Sequence, residues 1–346
     1  MAGPATTGTV MVSGGSGYIA GETIRQLLAK GWTVHTTVRN LAREAELRGQ
    51  LGGTPATLKF FAADLMRDAG WAEAMAGCSH VCHMASPFPA TVPKDENEII
   101  VPAREGALRA LRFAKAAGAV RFVMTSSAAA IAYGHPAGKT EFNEADWTNI
   151  DAPGIQPYIK SKAISERAAR DWVAQEGGAI EYCAVCPVMV LGPVQSGDFA
   201  ASVEPVLRLL DGSVPALPDV GFSIVDLRDI ADLHVRALEA PADQVRNGRF
   251  IGSSGRFMKF ADMAAVLRDQ LGVQARKVPR HKMPAFGVRI LAMFMPAAKQ
   301  LIGEIGRTRT TSSAHAQTVL GWQPRPPEES IIDCARSLIE RGVVKV

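Results

Sequence analysis

The sequence contains no uninterrupted run of the roughly 20 apolar residues that a bilayer span requires. Its most apolar late stretch, Met283 to Ile302, is broken by Arg289, Pro296 and Lys299, and reads as a pair of amphipathic helices. The opening "MAGPATTG" lacks the basic start and apolar core of a signal peptide, so the expectation is a cytoplasmic protein without a membrane partner. Cysteine is sparse. Five residues in 346 (Cys78, Cys82, Cys183, Cys186, Cys334) form an odd set that suits a reducing compartment better than a disulfide framework. Cys183 and Cys186 spell C-x-x-C, but inside the strand-like run "IEYCAVCPVMV" they point to opposite faces, and no second ligand pair follows at metal spacing. An excess of charge is also missing. A net charge of +4 gives no reason to expect nucleic acid, and the locally basic stretch 276–309 reads as a solvated face. There is no internal repeat and no low-complexity segment.

What is present is ordinary globular composition, 47% hydrophobic and 21% charged, in a chain long enough for one large α/β domain with a smaller annex. Apolar strand-like runs at 9–13, 33–38, 58–63, 80–85, 120–126 and 180–186 alternate with amphipathic segments such as 18–30, 102–117 and 158–175. Strands apolar along their length and separated by helices predict a parallel sheet covered on both faces, the doubly wound Rossmann-type α/β fold. After Pro187 the rhythm breaks into Pro- and Gly-rich loops and brief strands. The expected division is a dinucleotide-binding part at 1–187, to which 222–252 returns, and a smaller, mixed substrate-binding part at 188–221 and 253–346.

The first strand runs into "SGGSGYIAGETIRQLLAKG". In Gly14-x-x-Gly17-x-x-Ala20 the first glycine can make a tight turn, the second lets backbone approach a pyrophosphate, and the small Ala20 lets helix pack on strand. Backbone N–H groups and the helix dipole there favour phosphate. At the end of the second strand stand Thr37 and Val38 rather than the acid that binds ribose hydroxyls, followed by Arg39, whose guanidinium suits a 2′-phosphate. The implied cofactor is NADP(H).

Farther on, "YIKSK" sets Tyr158 four residues before Lys162, neighbours on one helix face. A fixed ammonium about 4–5 Å from a phenol contributes roughly 3–4 kcal/mol at an effective dielectric near 20, lowering its pKa by about 2–3. Such a tyrosine can give a proton to a carbonyl oxygen while hydride moves to carbon. Ser126 and Ser127, ending the fifth strand, can hold the same oxygen by a hydrogen bond.

Glycine loop, strand-end serine and Y-x-x-x-K, in this order, resemble the extended branch of the short-chain dehydrogenase/reductase superfamily. The blocks "VSGGSGYIAGETIRQLLAKGWTVHTTVRN", "AADL", "HMASP", "FVMTSSAAA", "YIKSKAISERAARDW", "CPVMVLGP" and "SIVDLRDIADLHVRAL" are similar to the dihydroflavonol reductase group and its bacterial aldehyde and ketone reductase relatives. The resemblance implies Tyr158 as proton donor, Lys162 as its partner and ribose anchor, and Ser127, second of its pair, as the carbonyl-orienting residue. It implies a cofactor lined by Gly14, Ser16, Gly17, Tyr18, Ile19, Asp64 (at the adenine), Leu65, Ala85 and Pro187. His83 reads as a core histidine or one supporting the site. Where plant dihydroflavonol reductases carry an asparagine this chain has Ala132, and Cys186 and Met189 replace the Arg and Asn of the block that grips nucleotide sugars.

The expected function is therefore NADPH-dependent reduction of aldehydes or ketones, the partner being a small carbonyl or alcohol molecule and the protein a monomer or homodimer. The pocket walls are expected from Ser86 to Phe88, from Ala132 and Tyr133, and from Met189 and Phe222. They are mostly apolar, so an apolar or aromatic substrate is expected. The alternatives are a sugar-nucleotide epimerase or dehydratase, and a dinucleotide-binding regulator without turnover.

Overall fold

The computed structural model describes residues 8–87, 93–195, 200–284, 286–287 and 302–345. The expected site residue Phe88 and most of the expected helix pair at 283–302 lie outside these. Seven strands form one wholly parallel sheet: β1 (Thr9–Ser13), β2 (Thr33–Val38), β3 (Leu58–Ala62), β4 (His80–His83), β5 (Arg121–Thr125), β7 (Glu181–Pro187) and β10 (Gly248–Gly252), in spatial order β10-β7-β5-β4-β1-β2-β3. A two-residue strand, β6 (Glu141–Phe142), pairs with the late β12 (Thr310–Thr311). The order reverses direction between β1 and β4, and at such a switch the loops leaving the two strands part to open a crevice.

Alternation along the strands feeds two separate layers. Val10 and Val12 of β1 belong to one core cluster and Met11 to another. The first layer is closed by α1 (Tyr18–Ala29) and α7 (Leu227–Glu239). In α1, Ala20, Ile24 and Leu27 recur at helical spacing and are fully buried. The second layer is closed by α4 (Asn97–Ala116) and α5 (Pro157–Glu176), together with α3 (Trp71–Met75). Small residues at Ala103, Ala107, Ala110 and Ala114 of α4 let α5 approach closely.

α4 begins five residues before the expected start at Pro102. One and a half turns into a long amphipathic helix, that proline forfeits a single backbone bond, which the packed face offsets. Cys183 and Cys186 fall in the two opposite layers of the sheet.

Beyond Pro187, β8 (Met189–Leu191), β9 (Gly221–Asp226) and β11 (Phe257–Lys259) form a small mixed sheet with β9 at its centre. Of the segment 222–252, β10 thus joins the large sheet and β9 the small one. Helices α6 (Glu204–Asp211), α9 (Phe260–Leu271) and α11 (Pro327–Glu340) cover the small sheet around Val206, Leu209, Met263, Leu267, Ile331 and Leu338. No helix among the described residues is long and apolar enough to cross a membrane.

Candidate active site

The turn after β1 is built against its neighbours. Gly14 has φ +74, and a Cβ there would stand 3.1 Å from Ala85 at the end of β4. At Gly15 a Cβ would fall 2.2 Å from Thr36 Oγ1, so the second glycine of "SGGSG" is as constrained as the first, a point its spacing in the motif did not reveal. Thr37 shows why no acid ends β2: its hydroxyl accepts the Gly14 N–H at 3.0 Å and its carbonyl accepts the Gly15 N–H at 2.9 Å. Gly17 opens α1 with no side-chain cap and no acidic residue in the first turn, leaving the positive helix end for an anion. Arg39 stands exposed at the cavity rim with no partner among the described residues, whereas Arg43 forks onto Glu46 at 3.0 and 2.9 Å. Residues that could not bear a larger side chain, an uncapped helix end and an available guanidinium all fit a phosphorylated dinucleotide.

Beside this turn, Ser13 Oγ accepts the N–H groups of Met84 and Ala85 at 2.9 Å each, and so donates to His83 Nδ1 at 2.9 Å. That places the ring proton on Nε2. Burial, with the Lys162 charge nearby, pushes the His83 pKa down to about 3, so the ring is a neutral strut.

Tyr158 lies in the first turn of α5, started by Pro157, and Lys162 one turn later is 6% exposed. The Tyr158 hydroxyl hydrogen-bonds Ser127, the residue capping the short turn after β5. Ser126 points elsewhere, donating to Glu166 Oε2 at 2.5 Å. The expectation that Lys162 draws the phenol's pKa down is corrected. Burial raises it, only the Ser127 hydrogen bond pulls the other way, and the Lys162 ammonium lies over the ring face, 5.8 Å from its centroid. Burial in turn pushes Lys162 down to about 8, against the opposing pull of Cys186 and Glu166. Desolvation thus outweighs attraction, and the phenol stays protonated at neutral pH.

Glu166 was not foreseen, although it stands four residues after Lys162 on the same helix. Fully buried, it accepts from Ser126, from Arg170 Nε at 3.1 Å, and from Arg249 Nε and Nη2 at 2.7 and 3.2 Å. Arg249 also donates to the carbonyls of Glu144 and Asp146 at 2.8 and 2.6 Å and lies 3.9 Å from the Trp147 ring centroid. The carboxylate therefore ties the end of β5, the middle of α5 and β10 into one knot.

A cavity of about 1010 Å³ runs from the glycine turn past these residues to the small sheet. Gly14, Ser16, Gly17, Tyr18, Ile19, Arg39 and Pro187 line it, as do Ser127, Tyr158 and Lys162, and on its outer reach Ser86, Ala132, Tyr133, Met189 and Phe222. Tyr18 also donates to the Gly192 carbonyl at 2.9 Å, pinning α1 to the loop after β8. Three expected residues stand back from the wall. Asp64 is exposed and accepts the Met66 N–H at 2.8 Å, Leu65 packs against Gly106 of α4, and Ala85 supports the turn from behind. The basic stretch near 309 is corrected too. Arg309, expected on a solvated face, is half-buried at the cavity wall, paired with Glu304 and 4.3 Å from the Tyr133 ring centroid.

A phosphate-ready turn joined to a half-buried serine and tyrosine and a buried lysine defines a dinucleotide-dependent oxidoreductase of the Rossmann type. Residues 10–251 match the NAD dependent epimerase/dehydratase family. The chain is 31% identical over 280 residues to dihydroflavonol 4-reductase of Zea mays, covering 78% of this chain and 76% of that one. It is 29% identical over 342 residues to tetraketide alpha-pyrone reductase 1 of Arabidopsis thaliana, covering 97% and 96%. Among solved structures, the yeast methylglyoxal/isovaleraldehyde reductase Gre2 complexed with NADPH superposes with a TM-score of 0.80 over 97% of this chain and 100% of that one, at 23% identity, a likeness of fold. The chain belongs to the NAD dependent epimerase/dehydratase family, within the extended short-chain dehydrogenases/reductases.

Proposed function

We propose that the protein reduces aldehydes or ketones to alcohols with NADPH, on substrates that are apolar or aromatic beside the carbonyl. The observation that carries this reading is the meeting of Ser127, Tyr158 and Lys162 at one point of a cavity whose other end is the glycine turn. A bound NADPH supplies the hydride to the carbonyl carbon. Ser127 holds the carbonyl oxygen by its hydroxyl, and Tyr158, kept protonated by burial, gives that oxygen its proton. Lys162 stabilises the phenolate left behind until solvent returns the proton. Arg39, on this reading, takes the 2′-phosphate. Ala132, Met189 and Phe222 give the adjoining wall its apolar character.

NADPH oxidation measured over aromatic aldehydes, aliphatic ketones, cyclic ketones and sugar nucleotides tests the proposal. Tyr158→Phe is expected to bind NADPH almost unchanged and to lower kcat by about 10²-fold or more on the best carbonyl compound. A variant within a few fold of the unmutated enzyme removes Tyr158 as the acid. A sugar nucleotide turned over faster than every aldehyde and ketone replaces the reductase reading with the epimerase one.

A further inference from the structure

One corner of the cavity holds hydrogen-bonding groups that the reduction itself does not use. Tyr133, one residue after Ala132, carries Arg309 stacked on its ring at 4.3 Å, and Arg309 Nη1 meets Glu304 Oε2. The paired side chains are only 14% and 15% exposed. That single contact leaves Glu304 Oε1, the remaining guanidinium N–H groups and the Tyr133 hydroxyl with no partner among the described residues. Half-buried on the cavity wall, these groups keep their remaining hydrogen-bonding capacity for whatever occupies the cavity. Tyr133 and Tyr158 line the same cavity, so the corner opens into the space that holds the reacting carbonyl.

Resting on the reductase reading, we propose that this corner is a subsite for a neutral, hydroxyl-bearing arm of the carbonyl substrate. A hydroxyl donates to the free Glu304 oxygen while accepting from Arg309 or Tyr133, matching both members of the pair at once. A carboxylate arm would satisfy Arg309 but confront Glu304, and an alkyl arm would bury every one of these groups unpaired. The aromatic body of such a substrate would lie along the apolar wall, with its polar end in the corner.

The test uses three 3-arylpropanals with a para hydroxyl, methyl or carboxylate group, in which two methylenes insulate the carbonyl from the substituent. In the unmutated enzyme the hydroxyl compound is expected to exceed the methyl compound about tenfold or more in kcat/KM, and the carboxylate to fall about tenfold below it, the scale of one charged hydrogen bond made or opposed. In Glu304→Gln the carboxylate compound should recover about tenfold while the methyl compound changes less than about twofold. Equal efficiency for hydroxyl and methyl overturns the subsite while leaving the reductase, as does a carboxylate that stays excluded in Glu304→Gln. Should that variant lose its activity toward the methyl compound, the hydroxyl-to-methyl ratio of the unmutated enzyme decides alone. Failure to reduce any aldehyde or ketone removes the reductase reading, and this proposal with it.

Discussion

Two adjacent serines have separate duties, because successive residues leaving a strand point to opposite sides. Ser127 meets the Tyr158 hydroxyl, and Ser126 meets the buried Glu166 at 2.5 Å. Ser127→Ala is therefore expected to lower kcat about tenfold to a hundredfold with an unchanged melting point. Ser126→Ala removes a hydrogen bond to a charged group and should cost about 1.5–3 kcal/mol of stability in urea unfolding. The assignment fails if the two effects are exchanged. Lys162 adds a pH limit. Its ammonium faces Tyr158 and Glu166 on α5, Cys186 on β7 and His83 on β4, and burial leaves it titrating near 8. On the proposed mechanism that charge holds the phenolate, so kcat should decline as pH rises through about 8, while Glu166→Gln, removing a carboxylate that supports the ammonium, should move the decline to lower pH. A flat profile from pH 7 to 9.5 would show that the charge of Lys162 is not used.

At the scale of elements, the proposed role of Arg39 in cofactor choice turns on the end of β2. Its last residues are committed inward: Thr36 donates to the Val12 carbonyl at 2.8 Å and Thr37 binds the glycine turn, so Arg39 is the first side chain at the cavity rim. One charge-assisted contact contributes roughly 1.5–3 kcal/mol, so NADPH should be preferred over NADH about ten- to a hundredfold in kcat/KM. Arg39→Ala should erase most of that preference and leave turnover with NADH. Equal use of both cofactors by the unmutated protein would rule the role out. The strand itself was legible in the sequence, since the apolar run at 33–38 forms β2 at those same residues. The knot around Glu166 was not, since Arg249 lies 83 residues away and only the pairing of β7 with β10 brings it there.

Across the whole molecule, buried neutral histidines tie elements together on both faces of the sheet, His234 a helix to a strand and His83 two strands. His234 of α7 donates from Nδ1 to the Ile230 carbonyl at 2.7 Å and accepts the Thr125 hydroxyl at 2.8 Å, and burial pushes it down to about 4. His83, with the Lys162 charge adding to burial, lies at about 3. Both folded values are below the unfolded value near 6.5, so between them the unfolded chain binds more protons and stability rises with pH. From pH 7.5 to 5 each histidine should remove about 2 kcal/mol, about 4 kcal/mol together. Urea unfolding at the two pH values checks this, and His234→Gln should remove about half of the difference. Equal unfolding free energies at pH 7.5 and 5 would mean that neither ring is held neutral by the fold.

By itself the sequence determined the parallel α/β alternation and the glycine turn, and it offered Tyr158 and Lys162 as neighbours on one helix face, because each is written in contiguous residues with a fixed period: two along a strand, about four along a helix. Only the tertiary structure decided that Ser126 turns to a buried Glu166, that burial rather than the lysine governs the phenol, that Asp64 and Leu65 stand back from the cavity, and that Arg309 and Glu304 enter it. Those outcomes depend on desolvation and on contacts between segments up to 176 residues apart, such as Arg309 on Tyr133. Local sequence spacing carries no record of either.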